Sequence, residues 1–135
     1  LNGKWNFRLF DHPDSIPANA VIKPPSKSWT RVAVPGNWTM QDLGGFVDLP
    51  QYTNIQMPFP GPPPALPDRN PTGVYRRRFT VPSAWRRRRT VLHVAGAESV
   101  HAVYLNGDFV GYGTEVRQAE TGLSFAEALP HNGLH

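Results

Sequence analysis

Fifteen prolines and twelve glycines are scattered through these 135 residues. Proline removes a backbone donor and clashes with the preceding helical turn, and interior glycine adds an entropic cost. That density of breakers excludes an all-α fold and leaves short strands joined by turns. Hydrophobic residues make up 39% of the chain, enough for a packed core and too many for a disordered chain. Charged residues, at 18%, are too few for a coiled coil. The length fits one domain. No apolar run approaches the roughly 20 residues needed to span a bilayer. The first residues, Leu1-Asn2-Gly3-Lys4-Trp5, have no signal-peptide shape and no initiator Met, so the chain is expected to derive from something longer.

The hydrophobic pattern is mostly that of strands. Trp5-Asn6-Phe7-Arg8-Leu9 alternates apolar and polar residues, as a half-buried strand does. Residues 29–34 form a second strand, stopped by Pro35-Gly36. A short strand is expected over 52–57, followed by an extended, polyproline-like surface loop over 58–71, which holds seven prolines. Residues 73–81 read as a strand with Tyr75, Arg77, Phe79 and Val81 on one face, which makes Arg77 core-directed and in need of a partner. Ser83-Ala84-Trp85 begins a turn. Residues 90–95, branched on both faces, read as a central strand. Residues 100–105 and 108–112 flank Asn106-Gly107, a strong hairpin signal. Beyond Gly113 the pattern weakens, with one helical turn expected over 125–129. Six or seven short strands of this kind imply an antiparallel sandwich or jelly roll.

The chemistry-bearing residues are dispersed. Ten acidic residues form no recognisable catalytic pair, whereas a hydrolytic site commonly needs two carboxylates. Five histidines show no metal-binding spacing, although His93 and His101 fall on neighbouring expected strands. Gly44-Gly45 lacks the Lys-Ser/Thr of a phosphate loop. With no cysteine there are no disulfides or thiolate sites. The net charge is +4, and two arginine clusters, 76–78 and 86–89, supply seven of the fourteen basic residues. Tyr75, Phe79 and Trp85 interleave with them only loosely, so a polyanion-binding domain is the less favoured reading.

Several segments, in order, carry a resemblance. Leu1-Asn2-Gly3-Lys4-Trp5-Asn6-Phe7, Val34-Pro35-Gly36-Asn37-Trp38, Tyr52-Thr53-Asn54-Ile55, Asn70-Pro71-Thr72-Gly73-Val74-Tyr75 and Asn106-Gly107 with Val110-Gly111-Tyr112-Gly113 resemble the N-terminal domain of bacterial β-galactosidases of glycoside hydrolase family 2. The resemblance covers residues 1–113. It implies an all-β, antiparallel jelly-roll β-sandwich, galactose-binding-domain-like, whose last strands are missing here. Residues 1–113 are then most of the sugar-binding domain, and 114–135 a divergent, truncated segment. The implied parent activity is hydrolysis of terminal β-D-galactosides such as lactose, with retention. The catalytic glutamates of that family lie in a barrel absent from this chain, so the chain alone is expected to be inactive. It is expected to hold no cofactor, the family's Mg and Na belonging to other domains. The implied partners are the β-galactoside substrate, the downstream domains and further copies in a homo-oligomer, with no membrane or nucleic acid, in the cytoplasm.

The resemblance places one substrate contact at Asn54, with Ile55 beside it. An Asn amide offers two donors and one acceptor in a plane, and so can fork onto neighbouring hydroxyls. The competing reading is an Asn that satisfies its own turn. Gln51 replaces the usual aliphatic residue before Tyr52. The runner-up function is a free-standing carbohydrate-binding module, which requires an exposed aromatic platform such as Trp38 with Tyr52.

Overall fold

A computed structural model describes residues 1–23, 26–45, 47–50, 61–62, 64–85, 88–97, 100–114 and 119–123. All strand pairing is antiparallel, and no α-helix occurs among the described residues. This is the all-β class expected from the sequence. The chain divides into two compact units, Leu1–Phe79 and Thr80–His135.

In the first unit, β1 (Gly3–Phe10) lies between β2 (Thr30–Val34) and β3 (Thr72–Arg76). The alternation read at 5–9 sends Trp5, Phe7 and Leu9 to one face. The register completes that face by setting Thr30 and Tyr75 opposite Phe7, Val32 opposite Trp5 and Gly73 opposite Leu9. Phe7 and Val32 are wholly buried, and Leu9 and Leu43 join them in the core. Burying a side chain the size of Phe7 contributes about 1.5–3 kcal/mol.

β3 is shorter than the strand expected over 73–81. It ends at Arg76, opposite Asn6. Past that point a side chain makes the contact: Arg77 Nη1 donates to Leu1 O and Asn2 O, just before β1, both at 2.8 Å. Arg77 thus has the partner expected of it. Arg76 is equally half-buried, however, and only Arg78 of the three is exposed.

In the second unit, β4 (Thr90–Val94) pairs with β7 (Ala119–Leu123), and β5 (His101–Leu105) with β6 (Asp108–Gly113). Asn106 (φ 55°) and Gly107 (φ 99°) make the expected tight turn between β5 and β6, both in the positive-φ region a type I′ turn requires. Two expectations are corrected. β4 is not central: its residues alternate half-buried and exposed, with Val91 and His93 outward. And a strand, β7, does form after Gly113, where the sequence pattern fades. The expected strand over 52–57 and the helical turn over 125–129 lie outside the described residues.

Candidate functional site

Two of the motif segments meet on the core face of the first unit. The first begins where β2 ends. The Val34–Pro35 peptide is cis, and Trp38–Met40 forms a 3₁₀ turn. Gln41 then reaches back to the free edge of β2. Its Oε1 accepts from the Ala33 N–H at 2.6 Å, and its Nε2 donates to Ala33 O at 3.1 Å. The amide thereby covers edge groups that a further strand would otherwise pair. Gly36 permits the close return, since a β-carbon there would lie 2.9 Å from Gln41 Nε2 and 3.0 Å from Ala33 O.

The second segment enters through Asn70, whose N–H donates to Asp11 O at 2.8 Å, and Thr72, whose hydroxyl donates to Asn70 O at 3.0 Å. Gly73 then passes beneath two rings. A β-carbon at Gly73 would sit 2.7 Å from Phe7 Cε2 and 2.9 Å from Trp38 Cζ3, so any side chain there forces the rings to move. The ring centroids of Phe7 and Tyr75 are 4.8 Å apart, edge to face. Trp38 lies 5.8 Å from Phe7 and 6.3 Å from Tyr75. Burial disfavours the charged phenolate and raises the Tyr75 pKa above its ordinary value.

The polar edge of this cluster centres on Asp48. The Trp38 indole N–H donates to Asp48 Oδ2 at 2.7 Å, and the Asp48 side chain is only 10% exposed. Arg69 Nη2 lies 4.0 Å from Asp48 Oδ1 and donates to Val47 O at 3.1 Å, while Arg69 Nε faces Asp11 at 3.7 Å. The Arg69–Asp11 pair is exposed and worth at most about 1 kcal/mol. The Trp38–Asp48 bond matters more, because it is charge-assisted and its carboxylate is largely buried. A cavity of about 310 Å³ opens beside them, lined by Trp38, Gln41, Asp42, Leu43, Val47 and Asp48 among others. Asp42 Oδ1 accepts from the Gly44 N–H at 2.8 Å and starts the turn through Gly44 and Gly45, both at positive φ.

The expected substrate contacts, Asn54 and Ile55, lie outside the described residues, as does Tyr52. What is described is the chain on either side. The Asp48–Trp38 and Arg69–Val47 bonds fix the approach at residues 47–48, and Asn70–Asp11 fixes the departure.

Trp38 is not the exposed platform that a free-standing binding module needs. It is half-buried, packed against Phe7, Gly73 and Tyr75, and hydrogen-bonded. His93 and His101 do not share a sheet, since β4 pairs with β7 and β5 with β6. Among the described residues no group of three His, Asp or Glu side chains could hold a metal ion. Among them too, no helix is long and apolar enough to cross a membrane. Of the basic clusters, Arg78, Arg88 and Arg89 are exposed, while Arg86 and Arg87 lie outside the described residues.

The sequence did not single out Asp48 or Gln41. Both sit in loops without periodicity, and their partners are ten and eight residues away.

Comparison with known proteins identifies the family. The family model described as glycosyl hydrolases family 2, sugar binding domain, matches residues 1–125. A β-galactosidase of Psychromonas ingrahamii is 41% identical over 118 residues, covering 87% of this chain and 11% of its own length. That of Vibrio cholerae is 42% identical over 119 residues, with the same coverage. One from Arthrobacter is 38% identical over 145 residues, covering 96% of this chain and 14% of its own length. The chain therefore spans little more than a tenth of these relatives. Among solved structures, a β-glucuronidase of Bifidobacterium dentium complexed with coumarin-3-O-glucuronide matches with a TM-score of 0.64. It covers 98% of this chain and 18% of its own at 24% identity, a likeness of fold alone. By the extent of these matches, the chain belongs to the sugar binding domain family of glycosyl hydrolases family 2.

Proposed function

We propose that this chain is the sugar-binding domain at the start of a β-galactosidase that hydrolyses terminal β-D-galactosides such as lactose. The chain shapes the edge of the substrate pocket and supports assembly, while the reacting carboxylates come from elsewhere in the longer protein. The observation that carries the reading is the 41% identity to a β-galactosidase across 87% of the chain. The geometry supports it locally. The Trp38–Asp48–Arg69 bonds anchor the chain just before the segment bearing Asn54 and Ile55, where a fixed amide can meet a sugar hydroxyl. The homo-oligomeric parent, its cytoplasmic placement and the location of Mg and Na in other domains belong to the same proposal.

The test uses the full-length polypeptide that carries this segment. It should turn over a chromogenic β-galactoside and not the matching β-glucuronide, and Asn54→Ala should raise KM by about two- to tenfold, the range of one neutral hydrogen bond. The 135-residue chain alone should show no turnover. Hydrolysis by the isolated chain, or a preference for the glucuronide, would overturn the reading.

A further inference from the structure

The outer face of the β2–β1–β3 sheet carries charge of one sign. Alternation along β1 puts Lys4, Asn6 and Arg8 opposite to the core side. The register sets Asn6 across from Arg31 on β2 and from Arg76 on β3, so two arginines flank one asparagine in a single cross-strand row. Lys4 and Arg8 stand two residues to either side. None of the three strands contains an acidic residue. The preceding loop adds to the same face: Arg76 donates to the carbonyls of Ile22 and Lys23, and Arg8 Nη1 donates to Ser28 Oγ at 3.2 Å, which brings Lys23 and Lys27 alongside. Arg78 is close as well; burial first, and then the charge of Arg78, lower the Arg76 pKa. These seven residues are half of the fourteen lysines and arginines in the chain.

Among the described residues the ion pairs are His12–Asp14, Arg69–Asp11 and Arg69–Asp48, and none of the seven takes part. The guanidinium groups instead meet neutral carbonyls and a hydroxyl, which leave the charge in place. Arg8 and Arg76 are half-buried, and Arg8 Nε is buried without a partner among the described residues, whereas Lys4, Lys23, Lys27, Arg31 and Arg78 are exposed. Like charges on adjacent strands repel, so such a face opposes its own sheet until a counter-charge arrives.

We infer that this sheet face is an interaction surface for a carboxylate-rich stretch of polypeptide. Guanidinium forks match carboxylates in a planar, paired geometry. Single-stranded nucleic acid would call for exposed rings among the cations, but Phe10, the one aromatic residue that the three strands place on this face, is buried, with the Arg8 guanidinium 4.8 Å from its ring centre. The relatives are several times longer than this chain, so the nearest source of such a stretch is the remainder of the same protein. That choice of source rests on the proposed place of the chain in a longer enzyme.

The test is fluorescence anisotropy of a short labelled oligoglutamate peptide titrated with the 135-residue chain at low and physiological salt, beside oligothymidylate. The peptide should bind, more weakly as salt rises. Lys4→Gln with Arg31→Gln should weaken binding about five- to tenfold, as loss of two exposed pairs would. Lys23→Gln with Lys27→Gln, on the loop, should weaken it as well and reports independently if the strand variant fails to fold. Arg88→Gln with Arg89→Gln should leave it unchanged. No binding, equal loss on changing Arg88 and Arg89, or tighter binding of oligothymidylate would overturn the inference. Galactoside turnover by the full-length protein without oligoglutamate binding would sink this inference alone. The reverse pairing would sink the enzymatic reading and leave the basic face standing.

Discussion

The three-stranded sheet of Leu1–Phe79 closes Phe7 and Val32 off from solvent completely, whereas the β5–β6 hairpin of Thr80–His135 leaves Phe109 58% and Tyr112 69% exposed. Both parts are built from strands of similar length and comparable apolar content. What differs is the cover. In the first part the Trp38 turn and Leu43 lie over one sheet face, and Gly73 lets the rings close down on the backbone. In the second, among the described residues, Tyr104 and Phe109 touch each other edge to face at 5.6 Å and remain substantially exposed. All six buried hydrophobic residues among the described ones belong to the first part. Strand propensity makes ladders in both regions, but only a second layer makes a core, and two-stranded ribbons are marginal without one.

Substitutions can break or sharpen this contrast. The largest effect belongs to Phe7→Ala, which empties the centre of the aromatic cluster and should cost about 3–5 kcal/mol in denaturant unfolding. Gly73→Ala should cost about 1–3 kcal/mol, because its β-carbon would displace the Phe7 and Trp38 rings. Gly107→Val, in the second part, should cost about 1–2 kcal/mol through positive φ alone. Tyr112→Ser should change the midpoint by no more than about 0.5 kcal/mol, since the ring is largely in water. If Tyr112→Ser proved as damaging as Phe7→Ala, the two parts would share a core and the contrast would fail.

Much of this was legible from residues alone. The alternation at 5–9 gave β1 and its core face because period-two patterning is local and strong. Asn106-Gly107 gave the hairpin for the same reason: the turn chemistry sits in two adjacent residues. The need of Arg77 for a partner was also readable, though not which carbonyls it would find, nor that Arg76 would be equally half-buried. Those carbonyls lie seventy-six and seventy-five residues away in the chain. β7 was missed because Ala119-Glu120-Thr121-Gly122-Leu123 has no clean alternation and is held as a strand by pairing with β4. The same limit applies to the site. The motif residues Trp38 and Gly73 stood out in the sequence, but their stacking on Phe7 and the link from Trp38 to Asp48 required the fold. The basic face was hidden for a similar reason: only the register turns Lys4, Arg8, Arg31 and Arg76 into neighbours.

The central claim is that the well-packed part of the chain is the part that holds the approach to the segment bearing Asn54, the proposed substrate contact. Native-state hydrogen exchange on the 135-residue chain measures this region by region. The account predicts the slowest exchange in β1 around Asn6 and Phe7, the two residues paired with both β2 and β3, and clearly faster exchange along β5 and β6. Equal protection in the two regions, or a β5–β6 hairpin that outlasts β1, would contradict it.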